Sequence, residues 1–184
     1  ILESLPIDKI KNGLPDTIKN LDPSHWIDAA EAIMTTDIAP KAASRKIKIQ
    51  DEEVVISGVS KGSGMIHPNM ATMLSFIATD ASINQILLDK LLKEVTEESF
   101  NCITVDGDTS TNDSFILIAT GKAEHIEINQ EDKSYEVLKD GIREVAIELA
   151  QAIVRDGEGA TKFITIQVES GRDDAECRKV GFAI

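Results

Sequence analysis

The chain has 184 residues, of which 42% are hydrophobic and 28% charged, with a formal net charge of −13 at pH 7. That is about one domain and enough for a real core, since a domain of ~150 residues buries roughly 70% of its unfolded surface. The acidic balance, with a pI near 4.6, disfavours nucleic acid, whose affinity rests on Lys and Arg neutralising phosphates, and no apolar run approaches the ~20 residues of a membrane span.

The pattern along the chain is mixed α and β without repeats or low-complexity linkers. Ile7 to Leu21 reads as helix interrupted at Gly13-Leu14-Pro15, and Ser24 reads as the cap of a second helix, HWIDAAEAIM. Ala43 to Gln50 alternates Ile47 and Ile49 with Lys46 and Lys48, and Glu53 to Val59 follows after Asp51-Glu52, so a hairpin is predicted. Met73 to Ala78 is nearly continuous apolar, as for a strand covered on both faces. Ile83, Leu87, Leu91 and Val95, widened by Leu88 and Leu92, predict a long amphipathic helix over Ile83 to Phe100. Strand-like Cys102 to Val105, a polar loop from Asp106 to Asp113, and an apolar strand from Ser114 to Thr120 come next. A helix ending near Arg155 carries Leu138, Ile142, Val145, Leu149 and Ile153 at three- and four-residue steps. Phe163 to Val168 reads as a last strand and Asp173 to Ile184 as a helix with its own cap. Alternating strands and helices favour a layered α/β architecture in one domain.

The two cysteines, Cys102 and Cys177, show no framework or C-x-x-C spacing, which suits a reducing compartment and makes the cytoplasm the expected location. The start, ILESLPIDKI, has neither an initiator Met nor a signal-like core, and the final VGFAI stops within a helical pattern, so a piece of a longer protein is expected.

Lys61 to Leu74, KGSGMIHPNMATML, is the stretch that most invites chemistry. A threonine hydroxyl is a weak nucleophile, and its own α-amino group can act as the activating base if that threonine begins a chain. Thr72 would begin one if the Ala71-Thr72 peptide broke, through attack of the Thr72 hydroxyl on the Ala71 carbonyl and opening of the ester by water. Gly62 and Gly64 permit backbone conformations closed to other residues, Pro68 fixes one torsion, and Ala71 leaves the carbonyl uncrowded. On spacing alone, a plain loop entering a buried strand explains the same residues.

Three other features are weighed beside it. Asp106-Gly107-Asp108-Thr109-Ser110-Thr111-Asn112-Asp113 matches a calcium loop in part, but Thr111 stands where that loop needs Gly and Leu117 where it needs a bidentate Glu. Its side chains are expected instead to bond their own loop backbone, with no catalytic duty. Gly157-Glu158-Gly159 reads as a solvated turn in which a carboxylate could also meet an ammonium. The three histidines, His25, His67 and His125, have no ligand spacing, so no metal site is expected.

KGSGMIHPNMATML resembles the self-processing signature of the ornithine acetyltransferase family of arginine biosynthesis (bifunctional glutamate N-acetyltransferase/amino-acid acetyltransferase), K-G-x-G-M-x-x-P-x-[ML]-A-T-[ML]-L, and matches every fixed position. LPIDKI at Leu5 to Ile10, AAEAIMTTD at Ala29 to Asp37, VDGDTSTND at Val105 to Asp113 and RDGEGATKF at Arg155 to Phe163 are similar to the same family and extend the resemblance over almost the whole chain. The resemblance implies an α-β-β-α sandwich of mixed sheets flanked by helices. It implies autocleavage at Ala71-Thr72, with residues 1–71 the C-terminal part of an α chain and 72–184 the N-terminal part of a β chain. It makes Thr72 the nucleophile and Thr35, Lys61, Thr72 and Glu158 substrate-binding, with Thr36 the neighbouring alternative to Thr35.

The implied reaction moves an acetyl group from N-acetylornithine to glutamate through an acetyl-threonine ester. No metal or organic cofactor is needed, and the family varies in whether acetyl-coenzyme A also serves as donor. Mature members are α2β2 heterotetramers. The family's oxyanion donors, a Thr-Gly pair upstream of the LP motif, and its C-terminal substrate residues lie outside this chain, so the chain alone is expected to be inactive. An amidohydrolase or aminopeptidase with the same terminal threonine, and a non-enzymatic interaction domain, are the competing classes.

Overall fold

A computed structural model describes residues 4–67 and 73–184. Its centre is a four-stranded sheet in the order β1-β2-β3-β4, built from β1 (Lys41–Ile49), β2 (Glu52–Lys61), β3 (Leu74–Thr79) and β4 (Ser114–Ala119). The predicted hairpin is β1-β2, closed by Gln50 and Asp51, both at positive φ (52° and 72°). A two-residue turn with positive φ at both positions matches the twist of the strands it joins. β2 and β3 pair antiparallel, whereas β3 and β4 run parallel. A parallel pair needs a crossover, and helix α3 (Gln85–Glu98) lies in the connection.

α3 is capped by Asn84, whose Oδ1 accepts from the Leu87 amide at 2.9 Å, and it buries Leu87, Leu88, Leu91 and Val95. The longest helix, α4 (Lys133–Arg155), starts at Asp132, whose carboxylate accepts from the Ser134 and Tyr135 amides, and buries Tyr135, Leu138, Ile142, Val145, Leu149 and Ile153. These stripes meet Ile49, Val54, Ile56, Ile77 and Phe115 from the sheet in one core. α4 runs antiparallel along β1: Gly141 lies against Ile47, Glu144 and Glu148 meet Arg45, and Asp156, just past the helix, meets Lys41. The approach is close, because a Cβ on Gly141 would come within 2.7 Å of Ile56 Cδ1.

Several sequence expectations are corrected. Helix α1 (Ile7–Lys19) runs through Pro15 and buries none of its residues; proline's fixed φ is helical, and its cost is a lost hydrogen bond and the crowding of its ring against the preceding turn. The second helix, α2 (Trp26–Ala32), follows a 3₁₀ turn capped by Asp22, with Ser24 donating to the cap instead of being it. Cys102 to Val105 is no strand: Phe100–Cys102 forms a 3₁₀ turn, and Val105 donates once, to the Ile66 carbonyl. Phe163 to Val168 forms no strand and has no strand partner among the described residues, leaving Ile164 and Ile166 exposed. A strand exists only where a neighbour takes its hydrogen bonds. Helix α5 (Asp174–Gly181) follows its cap Asp173 as expected.

The chain is thus mixed α/β, with a mixed sheet and flanking helices. Among the described residues there is one sheet of the expected sandwich. The face away from α4, which includes Val59, Phe76, Ile116 and Ile118 in register, is partly open, so β3 is covered fully on one face only.

Candidate active site

Four loops gather at one end of the sheet, where β2 ends and β3 begins. The α2-β1 loop brings Thr35, Thr36 and Asp37; the end of β2 brings Lys61 and the loop after it Gly62 to His67; the segment after α4 brings Asp156 to Gly159; and the polar loop before β4 brings Asp106 to Asp113. The first three are tied through short hydrogen bonds. Thr36 Oγ1 and Ser63 Oγ are 2.7 Å apart, and the Glu158 amide donates to the Ser63 carbonyl at 2.7 Å. The Glu158 carboxylate lies over Gly64, whose missing Cβ would sit 3.1 Å from its Cδ. Thr35, Lys61 and Glu158, separated in the chain by up to 123 positions (158 − 35), therefore lie on adjoining segments.

Beneath them sits a buried ion cluster. Lys41 Nζ donates to Asp37 at 2.7 Å and to Asp156 at 2.6 Å, with side-chain exposures of 3%, 1% and 11% in that order. Asp37 also accepts from the Gly62 amide (2.7 Å) and the Thr35 amide (3.2 Å), and Asp156 from the Ile38 amide (2.9 Å). Burial pushes the Asp37 carboxyl upward, but the bonds from Lys41, Gly62 and Thr35 outweigh it and hold the group below the ordinary aspartate range. A buried ammonium is tolerable only when paired and hydrogen-bonded, a condition the two carboxylates satisfy.

The polar loop grips both flanks of the Ala71-Thr72 region. Asp106 accepts from the Met65 amide at 2.5 Å and the Ile66 amide at 3.1 Å, while Thr104 Oγ1 donates to the Ile66 carbonyl at 2.8 Å. The Met65 amide bond holds a residue at φ 56°, a left-handed backbone that non-glycine residues rarely adopt. On the far side Asp113 accepts from the Met73 amide at 2.8 Å. Burial raises the Asp113 carboxyl, opposed by that amide and by the charge of Lys61. Lys61, the last residue of β2, is half-buried and pairs with Leu74 on the open face of the sheet. The predicted cleavage residues Ala71 and Thr72 lie outside the described residues.

The loop from Asp106 to Asp113 does bond its own backbone as expected, Asp106 accepting from the Asp108 amide at 3.1 Å. Its larger part, holding the neighbouring loop, was not foreseen. Nor was the Lys41 cluster, although one signal existed: Lys41 shares the phase of Ala43, Ile47 and Ile49 in β1, and so puts a charge on the strand's inward face. Of the two threonines, Thr36 engages Ser63 through its hydroxyl, whereas Thr35 offers its amide to Asp37 and is exposed. The His67 ring packs edge-on against Phe182, their centroids 5.5 Å apart. Among the described residues no group of three or more His, Cys, Asp or Glu could hold a metal ion, and no helix is long and apolar enough to cross a membrane.

The sequence profile of the ArgJ family matches residues 1–184. The "Arginine biosynthesis bifunctional protein ArgJ" of Colwellia psychrerythraea is 57% identical over 185 residues, covering 100% of this chain and 44% of that protein. The protein of the same name from Neisseria meningitidis is 56% identical over 186 residues, with 100% and 45% covered. A crystal structure of the "Arginine biosynthesis bifunctional protein argJ" from Bacillus halodurans is similar at 46% identity and a TM-score of 0.48, over 50% of this chain and 43% of that one. The chain therefore spans somewhat under half the length of these curated relatives. Matched by the family profile from its first residue to its last, the chain belongs to the ArgJ family.

Proposed function

We propose that this chain is part of an acetyltransferase that moves an acetyl group from N-acetylornithine to glutamate, using Thr72 as nucleophile after the Ala71-Thr72 bond is cut. The observation that supports this most is the meeting of the Lys61–Gly64, Thr35–Thr36 and Glu158 segments at the end of the sheet where β2 ends and β3 begins. Cleavage forms an ester between the Thr72 oxygen and the Ala71 carbonyl as the peptide C–N bond breaks and frees the threonine amine; water then opens the ester, leaving a carboxylate on Ala71 and the hydroxyl on Thr72. That amine, with an ordinary pKa near 8, takes the proton of its own hydroxyl as the oxygen attacks the acetyl carbon of N-acetylornithine. Ornithine departs with that proton, leaving the acetyl ester. The amine of glutamate attacks the ester carbon, N-acetylglutamate leaves, and the threonine oxygen is reprotonated.

In this scheme the Lys61 ammonium holds a substrate carboxylate and the Glu158 carboxylate an amino-acid ammonium, an arrangement of charge-assisted bonds. Thr35 contributes a further substrate contact. The oxyanion donors, typically worth about 3 kcal/mol apiece, come from the part of the protein beyond these 184 residues. No metal or organic cofactor takes part, acetyl-coenzyme A serves as a second donor at most, and the cut halves assemble as an α2β2 heterotetramer in the cytoplasm.

Intact-mass measurement and acetyl-transfer assays on the full-length protein test this. Two pieces, the second beginning at Thr72, and one uncut, inactive chain for Thr72→Ala are expected. A wild type that stays whole yet transfers acetyl groups would refute the mechanism. Hydrolysis of N-acetylornithine without N-acetylglutamate would replace it by an amidohydrolase with the same nucleophile.

A further inference from the structure

We infer that Lys41 and Asp156 are positioning residues: the buried Asp37-Lys41-Asp156 cluster sets the relative placement of the Thr35, Lys61 and Glu158 segments, and so governs substrate affinity without touching substrate. The inference rests on the acetyltransferase reading for what those segments bind, but its geometry stands apart from it.

The two carboxylates of the cluster hold backbone of the α2-β1 loop and of the loop after β2. Asp37 accepts the Gly62 amide, next to Lys61, and the Thr35 amide. Asp156, two residues before Glu158, accepts the Ile38 amide and thereby attaches the α4 end to the α2-β1 loop. Lys41 joins the two carboxylates, which lie 119 positions apart in the chain (156 − 37), and does so from the rigid start of β1. The charges do not cancel: two carboxylates face one ammonium, and three amides, of Thr35, Ile38 and Gly62, supply the remaining donors. Each carboxylate is therefore committed to fixed directions.

Stability alone does not require such a cluster, because well-packed apolar side chains of similar volume are often as good as a buried ion pair. Apolar side chains cannot accept amide hydrogens, however, and the loop amides would then lose their aim. Three loops that carry separate parts of one binding pocket need a common reference, and displacements of about 1 Å at such sites can cost up to 10²-fold in activity. Lys41 and Asp156 provide that reference, with Glu158 only two residues from the second of them.

The full-length protein carrying Asp156→Asn tests this, since asparagine keeps the volume and an acceptor for Ile38 while removing the charge that faces Lys41. The expected result is a KM for N-acetylornithine raised about tenfold, kcat within about threefold, and normal cleavage by mass, the pattern of lost binding rather than lost chemistry. Lys41→Met is the second variant. Its Gly62 amide should exchange with solvent at least tenfold faster in hydrogen-exchange measurements than in the wild type, because Asp37 loses its buried partner.

An unchanged KM in Asp156→Asn, with any loss of kcat merely following the fraction of unfolded protein, would overturn the inference. A wild type without any acetyl transfer would instead sink the acetyltransferase reading. The exchange rate of the Gly62 amide then still decides whether the cluster positions the loop, and an unchanged rate in Lys41→Met denies it.

Discussion

Gly64→Ala separates the role of Glu158 from that of the loop around it. The added Cβ would stand 3.1 Å from Glu158 Cδ, 3.1 Å from Oε2 and 3.5 Å from Oε1, so the carboxylate must retreat by a few tenths of an ångström. It can do so cheaply. Glu158 is exposed, and its head is the end of a flexible side chain. Gly64 is not among the residues at positive φ, so alanine brings no backbone strain, and the loss of glycine freedom in the unfolded chain contributes about 0.4–1 kcal/mol of stability. Thermal stability should therefore be unchanged or slightly higher.

Binding should suffer instead. On the proposed role of Glu158 in holding a substrate ammonium, Glu158→Gln removes a charge-assisted contact worth about 1.5–3 kcal/mol, or roughly 10- to 150-fold in KM at 1.4 kcal/mol per decade. A carboxylate displaced by a few tenths of an ångström loses part of that, on the order of threefold. The assay is steady-state acetyl transfer on the full-length protein across the cycle of wild type, Gly64→Ala, Glu158→Gln and the double variant. Because Gly64→Ala acts through Glu158, it should have no further effect once Glu158→Gln is present. An undiminished effect in the double variant, or destabilisation by more than about 1 kcal/mol from Gly64→Ala alone, would refute the geometric reasoning.

Two further predictions concern stability. Gly141→Ala gains about 1 kcal/mol of helix propensity but forces a Cβ to 2.7 Å from Ile56 Cδ1 and 3.0 Å from Ile47 Cγ2. Ile56 is fully buried and has nowhere to go, so overpacking at about 1–3 kcal/mol should win, and the urea midpoint should fall; a raised midpoint would show that α4 can lift off the sheet. Acid should weaken the active-site end. The Asp106 carboxyl is pushed up by burial but held below its ordinary range by the amides of Met65, Asp108 and Ile66, and Asp37 is held low as described. Folded values below the unfolded one of about 3.9 mean a contribution complete above roughly pH 5 and lost as pH falls through the lower folded values. Melting temperatures between pH 3 and 7 should decline at the acid end, less steeply for Asp106→Asn, and an equal slope in that variant would contradict the assignment.

Much of the fold is legible from local pattern. The helical stripes from Leu87 to Val95 and from Leu138 to Ile153 and the hairpin alternation act within a few residues of themselves, whereas the Asn84 and Asp132 caps and the turn at Gln50-Asp51, one residue before the expected break at Asp51-Glu52, are seen in the structure. The positions of Thr35, Lys61 and Glu158 were reached through likeness to a family signature, because an exposed threonine, a lysine beside glycines and a glutamate in a turn each have an ordinary explanation. Lys41 and Asp156 escaped that reading. Asp156 follows the last turn of α4, where an acidic residue is unremarkable, and its purpose is visible only against a lysine 115 positions away.

The sequence by itself determined the two long amphipathic helices, expected over Ile83 to Phe100 and ending near Arg155, and the hairpin within Ala43 to Val59, since periodicity acts over three or four positions. Only the tertiary structure decided that β3 and β4 run parallel, that Phe163 to Val168 pairs with no strand among the described residues, and that Lys41 joins Asp37 to Asp156. Ladders and buried ion pairs are made between partners brought together by closing long loops, and the identity of the partner is not encoded next to either one.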